Sequence, residues 1–465
     1  MDLVTLDGFA AVVRQGRMSA GVRPATWRRV VAFMAGVCCR SGQSAAPGTS
    51  GRLFAPPPRT FYQLVGDLMT AQILAGIRVL ELGQLIAGPF AAKTLADFGA
   101  QIIKIEPPGQ GDPLRKWRLL HEGTSVWWEA QSRNKQSVCV DLRQPEGQDI
   151  VRMLAGQADV LIENFRPGTL EKWGLSWEAL HELNPRLIML RVSGYGQTGP
   201  KAREPGFAAI GEAMAGLRYL NGEPGRAPVR AGLSLGDTIA GLHGAMGVLL
   251  ALYQRDARGG VGQMIDAALY ESLFNLSESL LPEYSVFGVV REPAGSSLPG
   301  IAPSNAYPCL DGYVLIAGNG DAIFARLMTH IGRDDLRLDP GLAHNDGRAA
   351  RVHELDGAIG SWTAQRRIDE VLAVMLAADV PAGRISTVAD IARDPHYRAR
   401  RAIASLTSAG GLQVDMPAVF PLLSDNPGAI RQRAPTLGEH TDAVLSAAGL
   451  DPQRLQQLRA LGVIA

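Results

Sequence analysis

The sequence predicts an α/β protein with a Rossmann-like doubly wound large domain and a smaller α+β domain. Three observations support this class. Short apolar runs alternate with helical patterns from Ile77 onward, a strand–helix–strand unit opens the series, and a turn-rich stretch at 290–303 interrupts it. Strands that alternate with helices are typical of a parallel sheet covered by helices.

The opening unit is the clearest local signal. Ile77–Leu82 is a short apolar run, Pro89 marks the start of a helix that Gly99 ends, and Gln101–Glu106 is a second strand. Glu106 lies where a dinucleotide site would place a ribose-binding acid. The spacing of Gly83 and Gly88 does not match G-x-G-x-x-G, however, so we expect no nicotinamide cofactor.

The remaining elements follow from periodicity. Strands are predicted at Ser137–Asp141, Val160–Glu163 and Leu187–Val192, and helices from Pro145 to Gln157, over Leu175–Leu183 and from Asp237 onward; an amphipathic segment is predicted over Met264–Phe287. In the smaller domain we predict a hairpin arm at Asp311–Ala317 and helices at Phe324–Ile331, Leu355–Ala364 and Ile368–Ala378.

Length and composition set the domain plan. A chain of 465 residues exceeds the ~250–300 residues beyond which single cores split. We expect an Arg-rich N-terminal extension at 1–68, disordered or a mis-assigned start. We also expect a large domain at 72–290, a small domain at 291–395 and a return to the large domain at 396–465. The expected location is cytoplasmic. The extension resembles a transit peptide, however, and the location would be mitochondrial if that peptide is genuine.

Charge and cysteine content exclude several partner classes. The formal net charge is +1, with 46% hydrophobic and 20% charged residues, which gives no bulk attraction to nucleic acid. No uninterrupted apolar run reaches the ~20 residues of a membrane helix, so no membrane partner is expected. The four cysteines form no C-x-x-C pair, and we predict no metal site.

Two candidate nucleophiles lie three residues apart. Asp237 stands at the start of a glycine-rich apolar helix, where free N–H groups and the helix dipole favour an ionised carboxylate. The alternative for Asp237 is an ordinary N-cap. Ser234 lies in Gly232-Leu-Ser-Leu-Gly236, which matches the G-x-S-x-G elbow of serine hydrolases, although a proline-containing segment precedes it and no oxyanion motif lies upstream.

A longer series of motifs resembles a known family. The blocks are Leu74–Leu82, Ala87–Pro89, Gly99–Glu106, Gly111–Arg115, Asn134-Lys135 with Asp141-Leu142, Asp159–Gly168, Ser193–Pro200, Gly236–Asp237 and Leu437–Thr441. In this order they resemble the class III CoA-transferases, the group of formyl-CoA transferase and carnitine CoA-transferase. The match covers about residues 72–465 and is closest in character to members that use succinyl-CoA and small dicarboxylates.

The resemblance implies a mechanism and a set of site residues. Asp237 would attack the acyl-CoA thioester, and aspartyl anhydride and aspartyl-CoA thioester intermediates would follow, with no bound cofactor beyond the CoA thioester substrate. Oxyanion donors would come from Gly236 and the Gly295–Gly300 loop. Ring-shaped chains would form an interlocked homodimer. The implied CoA contacts are Ile86, Ala87, Val140, Asp141, Leu142, Arg143, Asn164, Phe165 and Lys172.

Departures from the family pattern leave substrate choice open. Formyl-CoA transferase has Gln at the position of Ile86 and Arg at the position of Pro107, and most members of the family have Asp at the position of Ala208. Because the position of Ile86 bears on acyl recognition, formyl-CoA and oxalate are not expected as substrates. Arg203, Arg218 or Arg230 could hold a distal carboxylate. The alternatives are an acyl-CoA racemase that uses His243 with Asp237, a Ser234 hydrolase, and a CoA-binding protein without turnover.

Overall fold

Strands and helices alternate along the chain, as repeated βαβ units require. The computed structural model describes residues 72–465. The strands are β1 (Arg78–Glu81), β2 (Gln101–Glu106), β3 (Leu120–His121), β4 (Thr124–Ser125), β5 (Lys135–Cys139), β6 (Val160–Glu163), β7 (Ile188–Ser193), β8 (Met264–Ala268), β9 (Ser304–Cys309), β10 (Gly312–Ala317), β11 (Ala382–Arg384), β12 (Ile403–Thr407) and β13 (Gln413–Pro417).

Helices occupy the segments between these strands. They are α1 (Ala87–Asp97), α2 (Val126–Gln131), α3 (Pro145–Ala155), α4 (Thr169–Lys172), α5 (Trp177–Leu183), α6 (Ala208–Met214), α7 (Leu217–Leu220), α8 (Leu235–Ala257), α9 (Leu269–Phe274), α10 (Leu280–Phe287), α11 (Asp321–His330), α12 (Asp334–Arg337), α13 (Asn345–Ala350), α14 (Val352–Thr363), α15 (Ile368–Ala377), α16 (Val388–Arg393), α17 (Pro395–Ala399), α18 (Thr441–Ala447) and α19 (Pro452–Ala460). Short 3₁₀ turns lie at Pro113–Lys116 and Pro340–Leu342.

A six-stranded parallel sheet is the centre of the first part of the chain. Its order is β5-β2-β1-β6-β7-β8, and all five strand pairs are parallel. The strand order reverses between β1 and β6, because the chain winds outward from β1 and then returns to its other side. Such a switch opens a crevice at the carboxyl ends of the two strands. The predicted parallel α/β sheet is therefore confirmed.

Both faces of this sheet are buried. Neighbouring residues alternate between two cores, so that Val79 packs with α1 and α8 while Leu80 packs with α3 and the C-terminal helices. Runs without polar positions are expected for strands covered on both sides. Leu445, Leu458 and Ile464 of the C-terminal segment pack in the core that contains Leu80, so this segment returns to the parallel sheet.

Helix α8 lies against the sheet and crosses α1 at close range. A Cβ on Gly241 would lie 2.7 Å from the carbonyl oxygen of Ala87, so only glycine permits this approach. Within residues 72–465, α8 is also the one helix long and apolar enough to cross a membrane by length and composition. Core helices of globular proteins pass the same test. The small residues of α8, such as Ala240 and Ala245, pack against α1 and the sheet.

Several element boundaries differ from the sequence prediction, and three of them bear on the central sheet and the site. Strand β5 covers Lys135–Cys139 instead of 137–141, because Lys135 pairs with Ile102 and the chain then leaves the ladder for a bridge between Val140 and Ile464. Helix α8 begins at Leu235, two residues before Asp237. The amphipathic segment 264–287 starts as β8, whose alternating pattern was too short to separate from the helices that follow.

Residues beyond the turn-rich stretch build a separate core. Strands β9, β10 and β11 form an antiparallel sheet, and α11, α14 and α15 cover it around Phe324, Leu355 and Val371. Strands β12 and β13 form a further hairpin. The domain limits 72–290, 291–395 and 396–465 stay predictions, and the extension 1–68 lies outside the described residues.

Candidate active site

The loop after β1 is fixed from several sides. The amide nitrogen of Gln84 donates to Asn164 Oδ1 at 2.8 Å, and Asn164 Nδ2 donates back to the Gln84 carbonyl at 2.8 Å. Leu85 has a φ of 64°, a left-handed conformation that is uncommon for leucine. Its N–H donates to both carboxylate oxygens of Asp112 at 3.0 and 3.2 Å. Gln131 Nε2 donates to the Ile86 carbonyl at 3.0 Å.

A buried cluster of charges lies beneath this loop. Lys104 Nζ contacts Glu81 Oε1 at 2.9 Å, Asp112 Oδ2 at 2.8 Å and the Gly83 carbonyl at 2.8 Å. Lys135 Nζ contacts Glu81 Oε2 at 2.8 Å. Burial alone would lower the pKa of Lys104, but Asp112 and Glu81 raise it above its usual value. No sequence motif predicted this cluster.

An open cleft of about 1070 Å³ lies at the switch between β1 and β6. Its walls come from the loop after β1, the segment after β6, the start of α6 and the segment 230–237. Five predicted residues meet there: Ile86, Ala87, Asn164, Phe165 and Asp237. Ile86 and Ala87 are 5% and 2% exposed, so they offer the cleft mainly backbone atoms.

Asp237 lies in the first turn of α8 and faces this cleft. It is not the N-cap, because Ser234 holds that position and its carbonyl already accepts from the Thr238 N–H at 3.1 Å. No hydrogen bond reaches the Asp237 carboxylate from any residue between 72 and 465. Burial raises the pKa of Asp237 to about 6. The positive charge of Arg230 lowers this pKa, and the negative charge of Glu212 raises it. A carboxylate with this pKa is ionised near neutral pH, and a shifted pKa in a cleft marks a candidate functional residue.

The geometry disfavours the serine and histidine alternatives. Ser234 lines the cleft, but the residues before it form no strand in the described chain, so the strand–turn–helix elbow is missing. His243 is not among the cleft-lining residues, and no other histidine of the described part lines it. Neither predicted oxyanion donor is among the cleft-lining residues: the loop 295–300 lies apart from the cleft wall, and buried Gly236 directly precedes Asp237 in the first turn of α8.

The other predicted CoA contacts lie away from the cleft wall. Val140 is 1% exposed, and its N–H donates to the Glu106 carbonyl, so its side chain is unavailable to a ligand. Arg143 is exposed, and two of its guanidinium nitrogens donate to Asp141 at 2.8 and 3.0 Å. That contact lowers the pKa of Asp141 to about 2. Leu142 packs partly buried against the sheet core.

A buried relay connects two of the predicted CoA-binding segments. Glu163 Oε2 accepts from the Phe165 N–H at 2.7 Å, and Glu163 Oε1 accepts from Arg191 at 2.7 Å. Arg191 also donates to Glu171 at 2.7 Å, next to the exposed Lys172. Burial raises the pKa of Glu163 to about 7 although Arg191 lowers it. The relay fixes the Phe165 backbone relative to α4.

An arginine pair lies close to Asp237. Glu212 is 1% exposed, and its Oε2 accepts from Arg218 at 2.6 Å. Arg230 Nε lies 4.0 Å from Glu212 Oε1, and Arg230 lines the cleft. Arg203 does not line the cleft, and its carbonyl accepts from Arg166 at 2.9 Å. Of the three arginines that the sequence offered, Arg230 alone is part of the described cleft wall.

Comparison with known proteins decides the family. A model of CoA-transferase family III matches residues 74–441. The chain belongs to CoA-transferase family III. It is 46% identical over 394 residues to succinyl-CoA–D-citramalate CoA-transferase of Chloroflexus aurantiacus, an alignment that covers 84% of this chain and 98% of that protein.

Two further comparisons agree with this family. The chain is 43% identical over 397 residues to the beta subunit of succinyl-CoA–L-malate CoA-transferase of the same organism, covering 84% of this chain and 98% of that one. A crystal structure of a CAIB/BAIF family protein from Brucella suis superposes with a TM-score of 0.72 at 35% identity, over 81% of this chain and all of that one.

The resemblance read from the motifs is thus confirmed, and so is the prediction of a CoA-transferase that acts on CoA thioesters. Within residues 72–465, no group of three or more His, Cys, Asp and Glu side chains is arranged to hold a metal ion. The structure gives the positions of the residues predicted to contact CoA, and their roles stay predictions.

Proposed function

We propose that this family III enzyme transfers CoA from succinyl-CoA, or a similar acyl-CoA, to a small dicarboxylic acid through covalent intermediates on Asp237. The observation that carries the proposal is the partly buried Asp237 carboxylate on the first turn of α8, facing a cleft large enough for the pantetheine arm and an acyl group. Relatives named for citramalate and malate support the dicarboxylate class.

The reaction divides into four exchanges that need no net proton transfer. The Asp237 carboxylate attacks the acyl-CoA carbonyl and releases CoA thiolate, which leaves an aspartyl–acyl anhydride. The thiolate attacks the Asp237 carbonyl and releases the donor acid, which gives an aspartyl-CoA thioester. The acceptor carboxylate attacks that thioester to form a second anhydride, and the thiolate then takes the acceptor acyl group and frees Asp237.

Backbone groups near Asp237 are suited to the oxyanions of these steps. The first three N–H groups of a helix have no intrahelical acceptor, and the N–H groups of Leu235, Gly236 and Asp237 hold these positions in α8. Gly236 packs on Ala208, where an added Cβ would meet the Ala208 Cβ at 3.1 Å. That close contact keeps the turn in place beside the cleft. Donors fixed in this way stabilise charge that develops in a transition state.

The CoA phosphates would meet Arg143 and Lys172. Both side chains are exposed. Lys172 has no ion pair within residues 72–465. Arg143 donates to Asp141 through Nε and one terminal nitrogen, and its other terminal nitrogen makes no hydrogen bond to Asp141. Guanidinium and ammonium groups with free donors are the usual phosphate partners in proteins.

We also propose a homodimer, with an apolar stripe on α8 as part of the contact. Leu242, Met246, Leu249 and Tyr253 lie four, three and four residues apart, which places them on one helix face, and each is exposed. A large exposed apolar surface on an α/β enzyme indicates a protein contact.

Chemical trapping tests the mechanism. The protein is incubated with succinyl-CoA, treated with hydroxylamine or borohydride, and digested for mass spectrometry. We expect the modification on Asp237. Modification of Ser234, or full activity of Asp237→Ala, would exclude the aspartyl mechanism, and deuterium uptake at the acyl α-carbon would indicate a racemase instead.

A further inference from the structure

Four charged side chains surround the mouth of α8. They are Asp237, Glu212, Arg218 and Arg230, and they carry two negative and two positive charges when Asp237 is ionised. Glu212 and Arg218 are tied to each other at 2.6 Å, with Glu212 almost fully buried. Their charges cancel, so the remaining pair that a ligand meets is Asp237 and Arg230.

Arg230 is the more accessible arginine of this group, since the Nε of Arg218 also lacks a partner in the described part of the chain but is buried. Its side chain is 51% exposed, against 27% for Arg218. Its one ion-pair contact within residues 72–465 is with Glu212, at 4.0 Å, which is beyond hydrogen-bonding distance. Glu212 Oε1 correspondingly has no hydrogen-bond partner within the described residues. The guanidinium fork of Arg230 is therefore unoccupied at the wall of the cleft.

The charge at this wall changes during the proposed reaction. Acylation of Asp237 converts its carboxylate into a neutral ester-like group, so the cluster goes from a net charge of zero to +1. The acceptor, an anion, must enter at that stage. A guanidinium released from a neighbouring carboxylate attracts a second carboxylate more strongly, since opposite charges a few ångströms apart interact strongly where water is partly excluded.

Resting on the function proposed above, we propose that Arg230 binds the distal carboxylate of the dicarboxylic substrate and thereby selects dicarboxylates over monocarboxylates. The proximal carboxylate is then directed at Asp237, which lies on the same cleft wall. Binding is strongest when Asp237 carries no charge, which favours the acceptor on the acylated enzyme over the free enzyme.

A kinetic comparison tests the selectivity. Wild type, Arg230→Met and the control Arg226→Met are assayed at pH 8, where Asp237 is ionised, with succinyl-CoA or butyryl-CoA as donor and glutarate or pentanoate as acceptor. Arg226 is exposed on the same loop and does not line the cleft. We expect the ratio of kcat/KM for the dicarboxyl to the monocarboxyl substrate to fall about 10- to 100-fold in Arg230→Met alone. An equal loss for both substrates would overturn the proposal.

A binding measurement separates this proposal from the proposed function. Asp237→Asn imitates the uncharged state, so calorimetry should show succinate binding to it about tenfold more tightly than to wild type, and the gain should disappear in Asp237→Asn/Arg230→Met. Tighter binding together with a wild type that transfers no CoA would support the carboxylate site and refute the transferase chemistry. Equal succinate affinity in all variants would refute the site, whatever the activity.

Discussion

The raised pKa of Asp237 predicts that replacing it with asparagine abolishes activity and stabilises the protein. Burial holds the pKa at about 6, whereas the usual value is 3.8, so the ionised carboxylate is disfavoured in the folded state. A difference of this size corresponds to about 3 kcal/mol at neutral pH. The side chain is partly exposed, and water reduces the penalty to about 1–3 kcal/mol. Asparagine has the same shape and carries no such penalty.

The size of the effect depends on pH. Between about pH 4 and pH 6 the unfolded chain releases the Asp237 proton while the folded chain keeps it, so wild-type stability falls as pH rises through this window. Above pH 6 both states are ionised and the penalty is constant. Asp237→Asn should therefore match wild type near pH 4 and exceed it above pH 6, by about 2–5 °C in Tm.

Differential scanning fluorimetry from pH 4 to pH 8 checks this, with Glu182→Gln as a control for removal of an exposed carboxylate. Initial rates of the wild type should rise through pH 6 as Asp237 ionises, and Asp237→Asn should lose at least about 10³-fold in kcat. A Tm difference that is independent of pH, or a variant less stable than wild type at pH 7, would refute the electrostatic reasoning.

Four further variants follow from the contacts. Ser234→Ala should keep activity within about threefold of wild type in the transfer assay, since no elbow presents the hydroxyl. Asp112→Asn should destabilise by about 3–5 kcal/mol in urea titration, because it leaves a buried lysine short of a partner. Gly241→Ala should destabilise by about 1–3 kcal/mol, since its methyl would lie 2.7 Å from a carbonyl oxygen, whereas Gly357→Ala meets open space. Lys172→Ala should raise the KM for acyl-CoA roughly 3–10-fold with kcat unchanged, and added salt should narrow the difference.

Sequence periodicity located the central elements because their strands are buried on both faces. The strands around Val79, Ile102 and Leu161 are mostly apolar, with buried Glu81 and Lys104 among the exceptions, and they were predicted within one or two residues. Periodicity failed where a short strand pattern is followed directly by a helical pattern, as at β8 and the helix after it. The start of α8 was missed by two residues because Asp237 has the chemistry of a cap, whereas the backbone is already helical at Leu235.

Site residues were predicted where a motif carried them and missed where only the register brings them together. Asp237, Asn164 and Phe165 lie in contiguous blocks and do meet at the cleft. Glu81 and Lys104 are 23 residues apart, the first at the end of β1 and the second inside β2, and neither lies in a recognisable charge motif. They become neighbours because β1 and β2 pair in parallel with these two residues aligned. Opposite charges at matching positions of successive predicted strands are the signal that could have revealed them.

The buried charges explain how an unfavourable loop persists at the cleft. A leucine in the left-handed region costs of order 1–2 kcal/mol, and Leu85 adopts it where the chain must turn to expose the Ile86 and Ala87 backbone. Asp112 holds the Leu85 N–H, and Lys104 holds Asp112 in turn. Buried ion pairs contribute little net stability over apolar residues, so this network is better explained by the geometry it enforces than by the stability it adds. The Asp112→Asn variant separates these roles: a rise in the KM for acyl-CoA at temperatures where the variant stays folded would assign the network to substrate positioning.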